Sequence, residues 1–116
     1  MALKKLVDRL TKPVEQLDKE QLDTFCRNLG LAPLDEVAAR RPVRVGGEVR
    51  SVRIVPRAGA DALEVTVSDG RGAVTAVFLG RRKILGISPG RRIALEGVIA
   101  RDGRQQLIYN PLYTLL

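Results

Sequence analysis

Val43-Arg44-Val45-Gly46-Gly47-Glu48-Val49-Arg50-Ser51-Val52-Arg53-Ile54 alternates apolar and polar residues and then changes parity. Val43, Val45, Gly47 and Val49 fall on one side of an extended strand, and Arg44, Gly46, Glu48 and Arg50 on the other. Past Ser51 the apolar set moves to Val52 and Ile54. That slip predicts a β-bulge or a sharp coil near Arg50 and Ser51, with Gly46-Gly47 helping the strand to bend. A long first strand that bends to join two sheets is what a small closed barrel requires.

Short strands follow at regular intervals. Ala62 to Ser68 alternates Leu63, Val65 and Val67; Asp69-Gly70-Arg71-Gly72 is a hairpin turn; Ala73 to Leu79 is the return strand. Between Gly80 and Gly90 the run Arg81, Arg82, Lys83, Ile84, Leu85, Ile87 predicts one or two helical turns, ended by Ser88-Pro89-Gly90. Arg92 to Ala100 alternates Ile93, Leu95, Gly97 and Ile99. Asp102-Gly103 turns the chain, and Gln105 to Leu115 returns with Leu107, Ile108, Tyr109, Leu112 and Tyr113. The expected order is three strands, a short helix, then two strands.

Upstream the periodicity is helical. Leu3, Leu6, Val7 and Leu10 recur at the spacing of one helix face, Pro13 interrupts, and Val14 to Leu29 carries Leu17, Leu22, Phe25, Cys26 and Leu29 before Gly30 caps it. The expected organisation is a helical arm over residues 1–40 and a barrel over 41–116. The arm's apolar stripe must be buried against the barrel or against another copy of the chain, so a homodimer or a protein partner held through these helices is one expectation. Cys26 reads as a small core residue on that stripe.

The 116 residues are 45% apolar and 28% charged, an ordinary globular mixture for one domain with a short appendage. No apolar run is long enough to span a bilayer, and the first ten residues are too charged for a secretion signal; a cytoplasmic protein without membrane association is expected. With no His and one Cys, a Ser-His-Asp or Cys-His nucleophile, a Cys/His zinc site and an internal disulfide are excluded. No Gly-rich phosphate loop is present and the carboxylates are scattered. The expectation is a non-catalytic protein, with no catalytic residues, no metal and no cofactor.

The net charge of +7 is unevenly distributed. Residues 1–40 hold seven basic and seven acidic side chains, whereas residues 41–116 hold thirteen basic against six acidic, and of those thirteen only Lys83 is not Arg. A guanidinium forks onto phosphate and stacks on bases, and a basic domain is the electrostatic footprint of a polyanion binder.

Five short strands with a helical connection between the third and fourth are the plan of the OB-fold, a Greek-key barrel. The chain resembles that superfamily across about Arg41 to Leu116. The resemblance rests on Val43-Arg44-Val45-Gly46-Gly47-Glu48-Val49, Val67-Ser68-Asp69-Gly70-Arg71-Gly72 and Phe78-Leu79-Gly80. Pro89-Gly90 followed by Ile93-Ala94-Leu95-Glu96-Gly97, and the closing Ile108-Tyr109-Asn110-Pro111-Leu112-Tyr113, complete it. It is similar to the wedge domain of branch-migration helicases and to the anticodon-binding OB class. With Leu6-Val7-Asp8-Arg9-Leu10-Thr11 in front, the whole chain resembles small actinobacterial OB-fold nucleic-acid-binding domain proteins.

That resemblance implies binding of DNA or RNA, single-stranded or structured. In such folds the ligand lies across strands two and three, between the loops joining strands one and two and strands four and five. The candidate phosphate contacts are therefore Arg53, Arg57, Arg71, Arg101 and Arg104, with Tyr113 as a further contact. A secondary basic cluster comprises Arg81, Arg82, Lys83, Arg91 and Arg92. Phe78 and Tyr109 read as core residues, and the outward positions of strand two, Glu64, Thr66 and Ser68, offer no stacking platform. Binding is thus expected to be electrostatic, with little sequence specificity. The alternative is a protein-interaction or structural domain that acts through its helical arm without binding nucleic acid.

Overall fold

A computed structural model describes residues 13–116. The helical stripe expected over Leu3–Leu10 lies outside the described residues. Helix α1 (Val14–Asn28) is followed by strands β1 (Pro42–Arg57), β2 (Ala60–Ser68), β3 (Ala73–Leu79), β4 (Arg92–Asp102), β5 (Gln105–Tyr109) and β6 (Leu112–Leu115). The chain is mainly β, and no helix among the described residues is long and apolar enough to cross a membrane.

The strands pair in the order β1-β2-β3-β5-β4-β6, and β1 also pairs with β4, so that β1, β2, β3, β5 and β4 close into a ring. Among the described strands only the β3–β5 contact is parallel. The predicted bend of β1 is present: the β1–β2 register shifts between Val49 and Ser51, leaving Arg50 as the extra residue. Before the shift β1 pairs with β4, from Pro42↔Val98 to Glu48↔Arg92, and after it β1 continues along β2 alone. One strand therefore serves two neighbours in succession. Gly47 sits at this transition with φ 153°, and a Cβ there would collide with the Ser68 carbonyl; the backbone approach that closes the ring depends on its absence.

The interior is aliphatic. Val45, Val49, Leu63, Val65, Val67, Val74, Ala76, Phe78, Ile93, Leu95, Ile99 and Ile108 fill it from all five ring strands. Leu34 and Val37, from the segment between α1 and β1, belong to the same cluster. Each such fully buried aliphatic side chain stabilises the fold by about 1.5–3 kcal/mol.

Helix α1 ends as its sequence predicts: Gly30 takes φ 72°, and Leu31 N bonds back to Cys26 O at 3.1 Å. Leu22 and Cys26 pack with Leu31 and Ala94, and Phe25 lies alongside, where the outer face of the ring is thinned by Gly46. The middle of this helix's apolar stripe, Leu22, Phe25 and Cys26, packs on the chain's own sheet, while Leu29 stays exposed.

Two expectations are corrected. No helix connects β3 and β4; residues 80–91 form a succession of turns, because Gly80, Gly86 and Gly90 all adopt positive φ and Pro89 lacks a donor, which together break every helical run before one turn completes. The final segment is not one strand but two. Asn110 adopts φ 47° and Pro111 follows, so β5 and β6 occupy successive parts of the same lane beside β4, pairing with Ile99–Asp102 and with Ile93–Glu96 respectively.

Candidate functional site

The outer face of β1, β2, β3 and β5 carries one row of four residues in register: Arg53 opposite Glu64, Glu64 opposite Val77, and Val77 opposite Tyr109. Because side chains alternate across a strand, residues two apart share this face; Thr66, Thr75 and Leu107 form the adjoining row, and Ala62 and Leu79 lie beyond Glu64 and Val77. Ala62, Val77 and Leu107 make a small buried apolar cluster separate from the interior.

Glu64 organises the charges of this row. It is outward-facing, as its place in the alternation predicts, yet only 6% exposed. Its Oε2 accepts from Arg57 Nε at 2.8 Å and its Oε1 from Arg53 Nη2 at 3.3 Å. A buried carboxylate needs such partners, since an unpaired charge out of water is costly. The Glu64 hydrogen bond raises the pKa of the Arg57 guanidinium above its ordinary value, so Arg57 is a permanent cation. Two guanidinium groups on one carboxylate leave the row with one net positive charge, and the Arg53 side chain remains 67% exposed.

Tyr109 supplies what strand two lacks. The sequence reading as core is corrected here: Tyr109 is 44% exposed on the outer face, its hydroxyl accepts from Arg57 Nη1 at 3.3 Å, and the Arg57 guanidinium carbon lies 5.9 Å from the ring centroid. Phe78, by contrast, is buried in the interior. Leu107-Ile108-Tyr109 is an unbroken apolar run without period, so it conceals which member faces out; only the parallel register of β5 on β3 reveals it. An aromatic face beside a fixed cation can stack a base while the neighbouring guanidinium meets its phosphate.

The remaining predicted residues divide. Arg104 stands at the β4–β5 turn, about 17 Å along β5 from Tyr109 at the rise of a strand, whereas Arg101, opposite Gln106 and of the same parity as Ile99 and Ile108, turns to the base of the ring and is not brought to this face. Arg101 Nη2 donates to Val37 O at 2.8 Å, and Arg104 is exposed, with no partner among the described residues. Arg40 N bonds Ile99 O at 2.7 Å, which brings Arg40 and Arg41, both without a carboxylate partner among the described residues, to the same end. Arg71 is not brought to the face: its Nε donates to Asp35 Oδ2 at 3.1 Å and its Nη2 to Glu36 Oε1 at 2.9 Å. Tyr113, opposite Leu95 on β6, meets Phe78 edge-on at the mouth of the ring, centroids 5.9 Å apart and planes at 87°.

The secondary basic set does not form one patch. Arg82 pairs with Asp61 at 3.4 Å, and the Arg92 guanidinium lies 4.3 Å from the Phe25 ring centroid, where it joins α1 to the ring. Arg81, Lys83 and Arg91 are exposed, without a carboxylate partner among the described residues.

Cys26, on the apolar face of α1, has its thiol pushed up to about 11, chiefly by burial and further by the charge of Asp69. It is protonated at neutral pH and unsuited to nucleophilic or metal-binding roles. The chain matches no protein-family model and no curated protein sequence.

Proposed function

We propose that this chain is a nucleic-acid-binding module of the OB-fold type, non-catalytic and free of cofactors, that holds a single strand of DNA or RNA across β2, β3 and β5. The observation that carries the reading is the exposed Tyr109 ring with Arg57 against it and Arg53 three strands across in the same row, on the outer face of the closed strand ring. One base stacks on Tyr109, an interaction of about 1–3 kcal/mol, and Arg53 and Arg57 meet the adjoining phosphates. Arg104 takes the strand's other end. Glu64 holds the two arginines in place and tempers their charge, so affinity is modest and indifferent to sequence.

The test is fluorescence anisotropy with labelled single-stranded DNA, the same sequence as RNA, and duplex, each at two salt concentrations. With about four phosphates neutralised, a single strand gives a log-log salt slope near −3, and Tyr109→Ala weakens binding without altering that slope. Absence of binding near physiological salt, or affinity that ignores salt, overturns the proposal.

A further inference from the structure

Ser51, Thr66 and Thr75 stand opposite one another on β1, β2 and β3, and Leu107 closes the line on β5. Each lies two residues from a member of the Arg53-Glu64-Val77-Tyr109 row, so its side chain shares that outer face. Neighbouring strands are about 4.8 Å apart, which spreads the three hydroxyls across about 10 Å of sheet. None of the three has a hydrogen-bond partner among the described residues. The buried side-chain polar atoms left without a partner there are confined to Gln106 Oε1. The hydroxyls therefore open to solvent, each with a donor and an acceptor to offer.

Their position along the ligand's path decides what they meet. With a base on Tyr109, phosphates on Arg53 and Arg57, and the other end at Arg104, the strand has to cross this row. It lies about 7 Å from Tyr109, and Arg104 is about 10 Å further along the line of β5. The row carries no cation to hold a phosphate, and the Glu64 carboxylate stands in the row beside it. Nor does it carry an aromatic ring to stack a base. Of the three parts of a nucleotide, the sugar remains.

Within a DNA strand the sugar has no hydroxyl left, because both of its oxygens are esterified. A ribose keeps its 2′-OH, which donates and accepts, as the serine and threonine hydroxyls do. The same row is thus matched to one kind of strand and indifferent to the other.

We propose that the row of Ser51, Thr66 and Thr75 reads the ribose 2′-hydroxyl, so that RNA is the single strand this face selects; the inference rests on the Tyr109 face being the ligand site. The probes are fluorescein-labelled oligouridine and oligodeoxyuridine of equal length, which differ only at the 2′ position, titrated into the full chain by anisotropy at one salt concentration. The ribo-oligomer is expected to bind about fivefold more tightly or better, which two hydrogen bonds of ordinary net strength supply. The double substitution T66V/T75V removes two hydroxyls and keeps the branched shape that suits a strand. It should bring the ribo-oligomer close to the deoxy-oligomer without changing the affinity of the latter, whereas T66S/T75S keeps the preference. A 2′-O-methyl oligouridine, tested on the unaltered chain, loses the 2′ donor and should fall to the deoxy level or below. Equal affinity for the ribo- and deoxy-oligomers, a preference that survives T66V/T75V, or 2′-O-methyl binding as tight as that of the ribo-oligomer would overturn the assignment and leave the Tyr109 face standing. Absence of binding by every oligomer would overturn the face and the assignment together.

Discussion

Arg57 Nε donates to Glu64 Oε2 at 2.8 Å across the β1–β2 connection, and the same guanidinium reaches the Tyr109 hydroxyl through Nη1. One side chain thus links a buried anion to an exposed ring. Glu64→Gln keeps the shape of that link and removes its charge. The variant should lose about 1–2 kcal/mol of stability in denaturant unfolding, because charged hydrogen bonds become neutral ones, while the face gains one net positive charge. Tighter oligonucleotide binding with a steeper salt slope is the expected result; weaker binding at every salt concentration would contradict the role given to this face.

The two tyrosines separate binding from packing. Tyr109→Ala should reduce single-strand affinity by about 5- to 160-fold, the equivalent of about 1–3 kcal/mol of stacking, with little change in thermal stability. Tyr113→Ala removes the edge-on contact with Phe78 and should cost about 0.5–1.5 kcal/mol of stability or somewhat more while leaving affinity unchanged. Parallel anisotropy and thermal melts on both variants check the pair.

Asp69 should matter far more than Arg71, although they are two residues apart. Asp69 is buried; its Oδ1 accepts from the amides of Arg71 and Gly72, each at 2.9 Å, and its Oδ2 from the amide of Leu34 at 2.8 Å. Asp69→Ala strands three donors and should cost about 3 kcal/mol or more. Arg71→Ala removes only surface ion pairs to Asp35 and Glu36, which solvent screens, so it should change stability little and leave oligonucleotide binding as it was. Urea unfolding distinguishes the two.

Cys26 supplies a pH dependence of definite sign. Its thiol lies near 11 in the folded chain against a reference value of 9.0. Below about pH 9 both states hold the proton and its contribution is fully present. As pH rises from there through 11 the unfolded thiol ionises first, unfolding releases a proton, and stability falls. Relative to Cys26→Ala, the native chain should lose up to about 3 kcal/mol over this window. Alkylation of the folded protein at pH 8 should be far slower than of the urea-unfolded chain.

Much of the ring was legible in the residues because its geometry is written in local pattern. The parity slip at Arg50-Ser51 marked the bulge, Asp69-Gly70 marked the hairpin, and Gly30 marked the end of α1. The helix expected between β3 and β4 failed because Ile84, Leu85 and Ile87 carry helical spacing while Gly80, Gly86 and Gly90 impose turns, and the backbone preference prevailed. The candidate site was less legible because it is assembled by pairing between distant segments. Arg53 and Arg57 were identifiable as cations on one strand face, but their shared counterion sits on the next strand, and Tyr109 joins them only through the parallel contact of β5 with β3. Arg71 looked like a free hairpin tip until Asp35 and Glu36, distant in sequence, folded against it.

Leu34 and Val37 lie in the stretch before the first strand, yet they stopper the base of the ring, and Gln106 Nε2 clasps that stopper by donating to Leu34 O at 2.8 Å. Excising the strands at Arg41 would therefore uncork the interior, exposing aliphatic surface worth about 3–6 kcal/mol from these two side chains and depriving Asp69 of a donor. Any transplant of this fold onto another protein has to carry the preceding decapeptide with it.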